Sequence, residues 1–108
     1  GKNALQNERL TLSARGEDIW LHAKDMPGSH VIIRAEGREV SDDTLLTAAR
    51  LAAFYSKARG VAVPVDYTLR KFVKKPSGAP AGFVNYTRQK TLIITVSEAE
   101  IRKINQIK

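Results

Sequence analysis

The residues best equipped for chemistry sit in one stretch, Asp18-Ile19-Trp20-Leu21-His22-Ala23-Lys24-Asp25-Met26-Pro27-Gly28-Ser29-His30-Val31. It contains the only Trp, the only Met and both His of the chain. Two imidazoles with Asp18 and Asp25 nearby raise the question of a metal. The ligands fall short of a third imidazole or any thiolate, and no zinc spacing is matched, so no metal is expected. Ser29 precedes His30, yet neighbours on a strand point to opposite faces and no strand-turn-helix elbow is present, which argues against a nucleophile. Acid-base work by His22 or His30 with an Asp, as in a small hydrolase, stays open in principle. Structural, hydrogen-bonded imidazoles are the favoured reading, with no catalytic residue and no cofactor.

A second constellation is Arg70-Lys71-Phe72-Val73-Lys74-Lys75. Basic side chains interleaved with an aromatic can neutralise phosphates while Phe72 stacks a base. The plainer reading makes Phe72 and Val73 core and leaves the charges solvated. Asn85, Tyr86, Thr87 and Arg88 add donors suited to phosphate and sugar oxygens. Charge is distributed to match. Residues 57–108 carry eleven Lys and Arg against three acids, a balance of +8, while the first 56 carry seven against eight, a balance of −1. A basic half beside a neutral half points to a polyanion.

The elements that must position these residues follow from periodicity. Residues 3–14 read as a short helix capped by Asn3 and stopped by Gly16. In 18–24, Ile19, Leu21 and Ala23 face one way, and Asp18, Trp20, His22 and Lys24 the other, giving a strand with one core face. Pro27-Gly28 forms a turn, and 29–35 is a second, β-branched strand in an antiparallel hairpin whose loop exceeds two residues. Ser41, Asp42 and Asp43 open the longest helix, about 42–59, ended by Lys57, Arg59 and Gly60. Leu45, Ala48, Ala49, Ala52 and Tyr55 form its stripe, small enough to approach a sheet closely.

Val61 to Tyr67 is a third strand, at an edge or with its pairing broken at Pro64. Residues 82–87 and 90–96 read as a tightly connected strand pair, and Ser97 caps a terminal helix bearing Ile101, Ile104 and Ile107. The whole is one compact α+β domain. It has a mixed or mostly antiparallel sheet of about five strands, a long Ala-rich helix packed on it, and short terminal helices. The absence of Cys excludes disulfides and thiolate chemistry, and no apolar run nears the roughly 20 residues that span a bilayer. The chain opens on Gly1 rather than Met; we expect a fragment of a larger protein, so the lack of a leader carries no weight.

The Asp18–Val31 stretch resembles the signature of the NFACT-R domain of the RqcH/NEMF family. Residues 48–57, Val63-Pro64-Val65-Asp66-Tyr67-Thr68, Val73-Lys74-Lys75-Pro76-Ser77-Gly78 and Gly82-Phe83-Val84 are similar to later parts of that domain. Gly1-Lys2-Asn3 with Gln6-Asn7 and Leu10-Thr11 resembles its start. The resemblance covers almost the whole chain and implies a single RNA-binding domain over 1–108, cytoplasmic, beside other domains of the same protein. The full proteins are implied to bind the large ribosomal subunit and tRNA and to support C-terminal alanine tailing of stalled nascent chains. Their catalytic-looking residues are expected outside this domain, so the fragment alone should bind RNA weakly and perform no tailing. The resemblance and the basic segment together nominate Trp20, His22, Ser29, His30, Arg70, Lys71, Phe72, Lys74, Lys75 and Arg88 for RNA contact. Bacterial members were long labelled fibronectin-binding proteins, which leaves a protein-binding or adhesin module as the alternative.

Overall fold

Helix α2 (Asp42–Phe54) lies across a sheet because its buried stripe is all methyl groups: Ala48, Ala49, Ala52 and Ala53. Ser41 caps it by accepting the Thr44 N–H at 3.2 Å, and Asp42 and Asp43 sit at the positive end of its dipole. The helix ends at Phe54, short of residue 59. The Ser56 N–H and hydroxyl both donate to the Ala53 carbonyl, closing the last turn tightly. Tyr55 leaves the stripe as a result and is 48% exposed. The computed structural model describes residues 4–25, 28–56 and 62–95. The predicted Asn3 cap, Pro27 turn position, 57–60 helix end and terminal helix lie outside them.

Strands β1 (Ile19–Ala23), β2 (Val31–Ile33), β3 (Val63–Leu69) and β6 (Lys90–Ile94) make a fully antiparallel sheet in the order β2-β1-β3-β6. Leu21 and Ala23 of β1, Val63 and Val65 of β3 and Ile94 of β6 meet the alanines of α2, and this is the hydrophobic core. Strands β4 (Val73–Lys74) and β5 (Asn85–Tyr86) form a separate two-stranded ribbon, entered from a 3₁₀ turn at Arg70–Phe72. Residues 82–87 and 90–96 are therefore not each other's partners. The Thr87 N–H donates to the Phe72 carbonyl and the Thr68 hydroxyl to the Thr87 carbonyl. These bonds draw β5 onto β4 and release β6 to pair with β3.

Strand β3 is interior, and Pro64 sits where pairing with β1 stops. The last β1–β3 pair is Ala23 with Val65, and the Lys24 N–H donates to the Pro64 carbonyl at 2.8 Å. A strand residue turns its N and its C=O to the same neighbour. The missing donor thus falls at the end of β1, and β6 pairs straight past it through Ile93.

Helix α1 (Ala4–Ser13) closes the opposite face of the sheet. It is tied there by polar side chains. Asn7 donates to the Gly28 carbonyl and accepts from the His30 N–H, and Thr11 is hydrogen-bonded to the His30 ring at 2.8 Å. Gly82, at φ 80°, lets the loop before β5 lie against the start of α1. A Cβ there would meet the Ala4 carbonyl oxygen at 3.0 Å.

Candidate nucleic-acid interface

Strand alternation places Trp20, His22, Asp66 and Thr68 together on the sheet face opposite α2. Far from meeting solvent, this face is a second interior, roofed by α1 and the β4–β5 ribbon. Trp20 is fully buried, with the rings of Tyr86, His30 and His22 at 4.6, 5.3 and 5.9 Å between centroids. Its indole N–H has no acceptor among the described residues, so packing of rings holds it. His30 is buried too, 5.0 Å from His22. Burial, reinforced by the neighbouring imidazole, lowers the His30 pKa to about 4. Burial likewise lowers that of His22, against the opposing pull of the Gly28 and Ala23 backbone carbonyls and Asp66.

Asp66 is the buried carboxylate of this layer. It accepts the hydroxyls of Tyr86 and Thr91, each at 2.6 Å. Burial and that bond keep the Tyr86 phenol protonated far above its ordinary range. Asp18, buried at the mouth of β1, accepts the Arg15, Ala35 and Glu36 N–H groups. The Arg15 N–H above all holds it below the usual carboxylate range. Trp20 thus presents no surface to a ligand and His30 very little, and His22 is half-buried. Ser29 is half-buried beside Leu10, His30 and Tyr55, in a cleft that excludes His22. No group of three His, Cys, Asp or Glu side chains able to hold a metal occurs among the described residues.

The basic segment divides in two. Arg70 is structural: its guanidinium donates to the carbonyls of Thr11 and Val73, bolting α1 to the 3₁₀ turn. Lys75 is also tied down. It pairs with Glu8 and donates to the Ala79 and Pro80 carbonyls, with its side chain 28% exposed. The bond from Lys75 holds the Glu8 carboxyl below its ordinary pKa.

Lys71, Lys74 and Arg88 face solvent. Lys71 is paired with Glu17 at 2.9 Å in a screened, exposed bridge. Lys74 has no ion-pair partner among the described residues. Lys71 and Arg88 both lie over the half-buried Phe72 ring, at 5.5 and 5.1 Å from its centroid. Arg88 holds a left-handed backbone, φ 57°, a conformation costly for a side-chain-bearing residue. Lys90, exposed at the start of β6, shares a cleft of about 230 Å³ with Phe72, Arg88 and Tyr67. Lys90 and Tyr67 escape a linear reading because each belongs to a different strand. Their β3–β6 pairing is the signal that unites them.

This arrangement, an antiparallel sheet with α2 on one face and α1 and the β4–β5 ribbon on the other, and with Lys71, Arg88 and Lys90 grouped around Phe72, has close counterparts among known proteins. The profile described as the NFACT protein RNA binding domain matches residues 1–88, and the chain belongs to that family. It is 48% identical over 108 residues to the Rqc2 homolog RqcH of Bacillus subtilis, covering 98% of this chain and 19% of that protein. The RqcH of Streptococcus suis is 46% identical over 106 residues, again with 19% of its length covered. The chain thus spans about a fifth of these relatives. A solved C-terminal structure of the fibronectin/fibrinogen-binding protein of Streptococcus suis superposes with a TM-score of 0.87 at 45% identity. That match covers 95% of this chain and 42% of the other. No helix of the described residues is long and apolar enough to cross a membrane.

Proposed function

We propose that the chain is the RNA-binding module, residues 1–108, of an RqcH-type ribosome quality-control factor. In this reading it contacts tRNA or large-subunit rRNA through Lys71, Lys74, Arg88 and Lys90 around Phe72. The observation that carries the reading is the pairing of Lys71 and Arg88 over one aromatic ring, with Lys90 in the same cleft. Cations grouped around an aromatic are what phosphate neutralisation and stacking both require. The family's description as an RNA-binding domain and the RqcH relatives point the same way. Within the full-length protein the module works in the cytoplasm beside the other domains, on ribosomes that carry stalled chains marked by alanine tailing. It performs no catalysis itself. Its imidazoles serve packing: His30 has its ring bonded to Thr11, and Asp66 spends its carboxylate on two hydroxyls.

The test is fluorescence anisotropy of labelled tRNA with this chain over a salt series. Affinity should fall steeply with salt, and equal affinity at 50 and 200 mM salt refutes an electrostatic interface. The fibronectin-binding reading draws on the name of the structural neighbour, a fibronectin/fibrinogen-binding protein. Saturable capture of fibronectin, with tRNA unbound, would replace the RNA reading with it.

A further inference from the structure

The cleft at Phe72 has a shape as well as a charge. Its floor is the α2-side face of the sheet, with Ile19, Tyr67 and Leu69 from β1 and β3 and Lys90 from β6. Phe72 from the 3₁₀ turn and Arg88 from the β5–β6 connection complete it. Its volume of about 230 Å³ is below the roughly 300 Å³ at which ordinary small-molecule pockets begin. It suits one planar ring system with the remainder of the ligand outside. The apolar floor and the Phe72 ring favour a flat, weakly polar face. Arg88 and Lys90 in its lining, with Lys71 over the Phe72 ring, favour anions on either side of it. The Phe72 ring is itself only half-buried, and a guanidinium plane stacks on a base as an aromatic does.

We infer that this cleft receives a single unpaired RNA base, stacked against Phe72 and Arg88, with its flanking phosphates on Lys71 and Lys90. The inference rests on the RNA reading above and sharpens it: the module prefers single-stranded or looped RNA to duplex. A stacked duplex keeps its bases from the cleft and offers only phosphates, whereas an unpaired base adds the stacking contribution.

Three labelled probes test this with the intact chain: an oligoadenylate of about eight nucleotides, an abasic ribose-phosphate chain of equal length and charge, and a duplex. The oligoadenylate should bind roughly 5- to 150-fold more tightly than the abasic chain, the range that one stacked base contributes. Phe72→Leu should erase that preference and leave abasic binding unchanged. Arg88→Gln, checked by its melting temperature, should lower the preference as well as overall affinity. Equal binding of the abasic chain and the oligoadenylate by the unaltered protein overturns the inference, as does a preference that survives Phe72→Leu. In both cases the electrostatic interface stands. Failure of all three probes to bind would instead overturn the RNA reading, and this inference with it.

Discussion

Arg70→Ala and Lys74→Ala should part company completely, although both remove one cation from the same six-residue segment. The Arg70 guanidinium donates to two backbone carbonyls, one on α1 and one on β4, and its side chain is half-buried. Each bond is worth about 1 kcal/mol after allowance for solvent, so the loss is roughly 2 kcal/mol. For 108 residues the entropy of unfolding converts each kcal/mol to about 4–5 °C, giving a melting temperature roughly 8–10 °C lower. Lys74 is exposed, and removing it should cost less than about 0.5 kcal/mol, or ~2 °C. In tRNA binding the ranking reverses. Lys74→Ala should reduce the slope of log affinity against log salt by about one, and Arg70→Ala, measured well below its melting temperature, should not. Circular-dichroism melts and anisotropy titrations on both variants decide the matter. An Arg70→Ala protein that melts with the wild type and loses affinity as Lys74→Ala does would refute this division of the segment.

Urea stability should decline between pH 7 and pH 4.5 by about 2–3 kcal/mol from His30 alone. Its folded pKa of about 4 lies below the ordinary 6.5, so the unfolded chain takes up the proton first. The contribution is whole above 6.5 and lost as pH falls toward 4. His22 acts in the same direction, whereas the lowered carboxyls of Asp18 and Glu8 begin to cost stability only as pH falls below about 5. A flat profile across that window would contradict neutral, buried imidazoles. Tyr86→Phe removes a hydroxyl from the Asp66 carboxylate and should destabilise by about 1.5–3 kcal/mol in urea titrations. An unchanged midpoint would mean the bond contributes nothing. Arg88→Asn should leave the melting temperature within about 3 °C, because Asn tolerates the left-handed backbone that Arg88 strains to hold, yet it should weaken tRNA binding. Unweakened binding would remove Arg88 from the interface.

What could be read from the residues was whatever used a local rule. Ser41 with Asp42 and Asp43, followed by spaced alanines, announces α2 and its close approach to a sheet. Alternation in Ile19 to Ala23 announces β1 and its core face. Pro64 announces a break in pairing, and the structure shows it at the end of β1 rather than at a sheet edge. The second interior was hidden because its groups are polar. His22, Asp66 and Thr68 look like a wetted face until Asn7 and Thr11 of α1 bond His30 beside them and Tyr86 of β5 bonds Asp66. Those partners are distant in sequence. The 82–96 region misleads for a similar reason: two strand-like runs separated by Arg88 and Gln89 imitate a hairpin, while tertiary bonds to Thr68 and Phe72 separate them. Among the cations, residue type reveals charge but not whether a carbonyl or carboxylate already holds it. Arg70 and Lys75 therefore looked equal to Lys74.

The most direct test of the interface replaces Lys71, Lys74, Arg88 and Lys90 by Gln together and measures tRNA affinity against salt. Each change is at an exposed position, so folding should be retained, as a melt would verify. With four phosphate contacts at about 0.7 each, the slope of log affinity on log salt should shrink by about 3, and binding at 50 mM salt should collapse. An unaltered slope in a folded protein would contradict the account, because the cations that meet RNA would then lie elsewhere.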